Sequence, residues 1–215
     1  MKPLGKSDDV VALLRSIPYL KRTESFKPNV HGPARCRWGN WHEMIRDGYE
    51  SARDMREATE DPDADGHVSS AVVGLSRGAP FDFPYIYLDT VEGTVYWYNC
   101  PDAVRYDPEL PCIPALRASW EWDAEGENYD GEQDYWRGQS TFWSIPDFFE
   151  VLKHQFRRLY DFPLNQVHGG SALNLREQEK EEARAIYRAH AWPDLAVYKK
   201  EECMEALTRW AEETI

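Results

Sequence analysis

Seven carboxylates and five aromatic rings fall within seventeen residues, WEWDAEGENYDGEQDYW from Trp120 to Trp136, and no basic residue interrupts them. Carboxylates set between indoles suit a guanidinium or ammonium group, because the acids supply charge and the rings a π face. Crowded carboxylates also repel one another. That repulsion raises some of their pKa values, a common route to a general acid or base near neutrality. On this chemistry Glu121, Asp123 and Asp134 are the candidate catalytic carboxylates. Trp120, Trp122, Tyr135 and Trp136 are the candidate rings that stack on a substrate. The plainer alternative is a soluble acidic loop pinned by aromatic anchors.

Other chemistry-bearing patterns are weaker. DPDADG at 61–66 matches the first half of a calcium loop, but the twelfth position, where a bidentate Glu must close the oxygen cage, is Val72. The six histidines form no HExxH and no i,i+4 pair, so no metal is expected. Neither a Walker A loop, nor G-x-G-x-x-G, nor G-x-S-x-G occurs, so nucleotide phosphates and the common serine-hydrolase elbow are disfavoured and no cofactor is expected. Cys100, at the end of YWYNCPD, is the most interesting thiol, and its bland reading is a small buried hydrophobe.

Charge narrows the partners. The net charge is −13, but residues 1–46 carry +5, residues 47–136 carry −16 and residues 137–215 carry −2. A large central negative field repels phosphate backbones and anionic membranes and favours cationic partners. Nucleic acid would have to meet Lys21, Arg22, Arg35, Arg37 or the Lys153/Arg157/Arg158 face. The four cysteines are scattered, the N-terminus lacks a secretory pattern and no segment resembles a membrane span, so a cytoplasmic protein with reduced thiols is expected.

The elements that must position these residues follow from periodicity. DDVVALLRSIPYL predicts a short helix capped by Asp and stopped by Pro18, and NWHEMIRDGYESARDMREATE predicts a longer one capped by Asn40. HVSSAVVGLSRG reads as a strand, and PYIYLDTVEGTVYWYN as two strands around a Glu-Gly turn. Asp89 reads there as a turn former. A further short strand is predicted near Leu116–Trp122 within an otherwise irregular segment.

FWSIPDFFEVLKHQFRRLY predicts a helix with a Ser144–Asp147 capping box and a core stripe of Ile145, Phe148, Phe149, Leu152, Phe156 and Leu159. Two helices follow, LREQEKEEARAIYRAHAW and DLAVYKKEECMEALTRWAEE, separated by Trp192-Pro193. The whole predicts an α+β fold: a small, mainly antiparallel sheet flanked by helices, with a helical C-terminal segment. Residues 1–215 are expected to form a single domain, with 171–215 a helical extension packed on it.

Two resemblances add expectations. The run from Ser70 to about Tyr160, with YIYLDTVEGTVYWYN ahead of a loop and SIPDFFEVLKHQF, resembles the layout of SMI1/KNR4-like domains. That likeness implies a non-catalytic interaction module, for which the acidic face of this chain would engage a basic protein partner. DVVALLRSIPYL and LDTVEGTVYW are similar in style to uncharacterised fungal proteins that include small biosynthetic enzymes. Among these are arginine-containing cyclodipeptide synthases, which take amino acids from charged tRNA. That likeness implies a secondary-metabolism transferase acting on a small cationic substrate, such as an arginyl group, or on aminoacyl-tRNA. It assigns no catalytic residue, since Asp8-Asp9 does not open a DDxxE motif. The leading expectation is the enzyme and the competing one is the acidic binding module.

Overall fold

The computed structural model describes residues 4–19, 36–46, 51–60, 68–77, 85–107, 135–138, 140–160, 162 and 175–214, with residues 135 and 138 described by backbone alone. The expected DPDADG turn and the short strand near Leu116–Trp122 lie outside the described residues. Among the described residues no helix is long and apolar enough to cross a membrane.

Helix α1 (Asp8–Ser16) buries Val10 and Leu14, one turn apart on one face. Its cap is Ser7 rather than Asp8, the Ser7 hydroxyl accepting the Val10 N–H at 3.3 Å. The single helix expected over 40–60 is two, α2 (Trp41–Arg46) and α3 (Ala52–Thr59). Asn40 caps the first as expected, accepting the Glu43 N–H at 3.1 Å. Ser51 starts the second: its backbone is extended and its hydroxyl accepts the Asp54 N–H at 3.1 Å. A Ser in cap geometry ends one helix's claim on the chain and begins another's.

The sheet is antiparallel throughout and follows chain order: β1 (Val72–Gly74), β2 (Tyr85–Asp89), β3 (Thr94–Tyr98) and β4 (Ser140–Ser144). The β2–β3 hairpin is the expected one, with Tyr87 opposite Tyr96 and Asp89 opposite Thr94. Gly93 closes its turn at φ +66°, a conformation open to glycine at little cost. Strand β4, STFWS, is paired to β3 with Tyr96 opposite Phe142 and Val95 opposite Trp143. Sequence periodicity did not reveal it.

Side chains alternate between the two faces of the sheet. One face gathers Tyr85, Tyr87, Tyr96, Tyr98 and Phe142, and is covered by Trp136 from the short helix α5 (Tyr135–Gly138). The other carries Trp97 and Trp143, against which Phe148 of α6 (Ile145–Arg158) packs at ring-centroid distances of 6.1 and 6.0 Å. Both faces being covered, β2 is buried at all five positions. Between β3 and the acidic segment lies one further turn of helix, α4 (Asp102–Arg105).

Helix α6 opens at the expected Ser144–Asp147 pair: Ser144 Oγ donates to Asp147 Oδ2 at 2.6 Å and accepts the Asp147 N–H at 3.3 Å. Its buried face differs from the expected stripe. Phe148, Val151, Leu152 and Leu159 are buried, whereas Phe149 is 50% exposed. Adjacent phenylalanines point about 100° apart on a helix, so one of the pair must turn away from the core.

The described residues divide into two compact units, the boundary falling between Val151 and Leu152 inside α6. The second unit holds α7 (Glu177–Ala189) and α8 (Lys200–Thr214) around Leu159, Phe162, Ala183, Tyr187, Cys203 and Leu207. Helix α8 starts later than the expected Asp194. Asp194 Oδ1 instead accepts the Ala196 N–H at 3.1 Å, a local turn that competes with helix.

Candidate functional site

The hairpin turn supplies the first part of the site. Asp89 Oδ1 accepts the backbone N–H groups of Val91 and Glu92 at 2.8 and 3.0 Å, the turn-forming role expected of it. Its second oxygen is directed elsewhere. Arg137, on α5, donates from Nη2 to Asp89 Oδ2 at 2.7 Å and from Nη1 to Glu92 Oε2 at 2.9 Å and Tyr96 Oη at 2.7 Å. The Tyr96 hydroxyl in turn donates to Glu92 Oε2. The guanidinium carbon lies 4.8 Å from the ring centroids of both Tyr96 and Trp136.

A guanidinium held by two carboxylates, a phenol and an indole has the chemistry suggested above for an external cation, but Asp89, Glu92 and Tyr96 come from the hairpin and only Trp136 from the acidic-aromatic stretch. Here the cation belongs to the chain itself. Trp136, a candidate substrate-stacking residue, is 2% exposed, its ring 4.7 Å from Tyr87 and 5.2 Å from Tyr96. Its role in the described structure is to cover the tyrosine face and carry Arg137. Glu121, Asp123, Asp134, Trp120 and Trp122 lie outside the described residues, as does the side chain of Tyr135.

Electrostatics follow from burial and pairing. Burial alone would raise the Asp89 carboxyl. The Glu92 N–H, the Arg137 guanidinium and the Val91 N–H outweigh it and hold the group below its ordinary value. Burial pushes the Tyr96 hydroxyl up, and the Glu92 carboxylate it donates to pushes it further. Burial opposes the charge on Arg137, but its bonds to Asp89, Tyr96 and Glu92 keep it firmly protonated. Asp89 and Arg137 are therefore both charged at neutral pH.

Sequence reasoning missed Arg137, which stands one residue beyond the acidic stretch. Its partners Asp89 and Glu92 are 48 and 45 residues away, too far for any local pattern to reveal. The segment's other end is fixed to the same sheet: Arg105 on α4 donates from Nε to Thr141 Oγ1 on β4 at 3.0 Å. Cys100 is buried beyond β3, its Sγ 3.8 Å from the Pro101 carbonyl oxygen, in keeping with the bland reading. Among the described residues no group of three His, Cys, Asp or Glu is placed to hold a metal.

Comparison with known proteins adds no relative: no family model, no curated protein and no solved structure matches the chain.

Proposed function

We propose that this protein is a binding module that captures a basic protein partner through the acidic segment between α4 and α5. The observation that carries this reading is the occupation of the Asp89–Glu92–Tyr96–Trp136 grip by Arg137. With the grip filled from within, the cluster serves as an anchor for the end of the segment. Arg105 on Thr141 anchors the start. Between these two points, residues 108–134 carry eight carboxylates and one arginine. Such a charge excess steers and holds cationic surfaces, chiefly by raising the encounter rate and by pairing with Arg and Lys. The layout of hairpin, connecting segment and amphipathic α6 is the one on which the likeness to SMI1/KNR4-like interaction modules rests, and it supports this reading.

The test is anisotropy of a labelled arginine-rich peptide titrated with the full chain at low and physiological salt. One variant carries Glu121→Gln, Asp123→Asn, Glu125→Gln and Glu127→Gln. A second, of equal charge change, carries Glu201→Gln, Glu205→Gln, Glu212→Gln and Glu213→Gln, all exposed positions on α8. The reading requires at least a tenfold loss in the first variant and little in the second, with binding weakened by salt. Equal losses in both variants would reduce the interaction to bulk charge and overturn it. A nitrogen-rich metabolite made by expressing cells and lost with Glu121→Gln and Asp123→Asn would restore the biosynthetic enzyme in its place.

A further inference from the structure

The second unit holds a cleft of about 460 Å³ that the reading above does not use. Four arginines line it, Arg157 and Arg158 from the last turn of α6 and Arg184 and Arg188 from α7. Among the described residues of the lining Glu181 is the one acid. In a chain of net charge −13, four guanidinium groups around one concavity run against the composition.

The local structure explains how they meet. Leu159 ends α6 in the left-handed region at φ +56°, and Tyr160 N–H returns to the Gln155 carbonyl at 3.2 Å. That leaves the Leu159 carbonyl exposed to α7, where Arg184 Nε donates to it at 2.9 Å. Arg184 is thereby fixed, with its guanidinium 6.0 Å from the Phe162 ring and its side chain 13% exposed. Arg188 follows four residues later and shares its helix face. Glu181 pairs with Arg184 at 2.6 Å and reaches Arg188 at 3.8 Å.

Arginines near helix C-termini offset the negative end of the helix dipole, and that accounts for some basic residues at these positions. It does not account for a cavity. Trp192 donates its indole N–H to the Phe156 carbonyl at 3.1 Å, which sets its ring as one wall. Tyr160, 48% exposed, stands at the same cleft. The volume suits a ligand of nucleotide size, and planar guanidinium forks suit phosphate oxygens, which they bind in pairs.

We propose that this cleft binds a small phosphorylated ligand bearing a planar ring, the phosphates on Arg157 and Arg188 and the ring against Trp192 and Tyr160. Arg184 positions the two helix ends. The chemistry is shared by nucleoside phosphates and free pyrophosphate, and the test separates them.

Titration calorimetry of the full chain with ADP, pyrophosphate and adenosine is the experiment. ADP is expected to bind, pyrophosphate to bind several-fold more weakly and adenosine not to bind. The double variant Arg157→Gln/Arg188→Gln is expected to weaken ADP at least tenfold with the melting temperature unchanged, since neither residue holds a backbone group in place as Arg184 does. Absence of heat with both ADP and pyrophosphate at millimolar concentration would overturn the proposal. So would unchanged ADP affinity in the double variant. Tight, steeply salt-dependent binding of a short single-stranded RNA without ADP binding would replace the small ligand by nucleic acid.

Discussion

Arg137 lies 2.7 Å from Asp89, a residue 48 positions earlier, and the two join the end of the acidic segment to the tip of the central hairpin. The same carboxylate forms the hairpin turn with its other oxygen, so one side chain shapes the turn and receives the segment. Both partners are largely withdrawn from water, with side-chain exposures of 13% and 4%.

Removing the guanidinium while leaving the carboxylate buried is the costly way to break such a pair, by about 3 kcal/mol. Arg137→Gln is expected to lower the urea midpoint accordingly. Arg137→Lys is expected to recover only a small part, because an ammonium cannot fork to Asp89 and Glu92 and cover two rings at once.

Acid is expected to weaken the same joint. The folded Asp89 carboxyl titrates below its ordinary value of 3.8. Its stabilising contribution is complete above that value and is lost as pH falls through the lower folded one. Melting temperatures of the wild type and Asp89→Asn should therefore differ near neutrality and converge below about pH 3.8. A constant gap from pH 7 to pH 2.5 would contradict this.

The paired phenylalanines of α6 give a sharper contrast. Phe148 is 1% exposed between Trp97 and Trp143, and its truncation to Ala should cost about 3–5 kcal/mol. Phe149, half exposed, should cost under about 1 kcal/mol by the same change. Denaturant unfolding of the two single variants checks both.

Gly74 permits the close approach of β1 to the end of α3. A Cβ at that position would collide with the Thr59 backbone carbonyl, and backbone cannot swing aside as a side-chain tip can. The Trp41 indole also donates to the Gly74 carbonyl at 2.9 Å, which fixes β1 from α2. Gly74→Ala is expected to destabilise by about 1–3 kcal/mol, read as a lowered thermal midpoint.

The hairpin and the Ser144 cap were legible because their signals are local. Alternating Tyr and aliphatic residues flank a Glu-Gly turn, and Ser144 and Asp147 are three residues apart. The Ser51–Asp54 spacing was legible in the same way, yet the apolar stripe running through it suggested one continuous helix. Strand β4 escaped because five residues beside an acidic tract carry little period, and only pairing with β3 defines them. Phe149 was misplaced because two neighbouring rings both fit a broad helical stripe, and the sheet alone selects between them. Arg137 was beyond reach for a different reason: its role exists only once the hairpin has brought Asp89, Glu92 and Tyr96 together.

Strands β3 and β4 are adjacent in the sheet, yet residues 99–139 lie between them in the chain. Closing so long a connection is entropically expensive once, but lengthening it further is cheap, about 0.6 kcal/mol for each doubling. The fourth strand and the arginine joint are therefore insensitive to how much chain separates them. Nature or an engineer can rewrite residues 108–134 in length and composition while the sheet on either side of them stays the same.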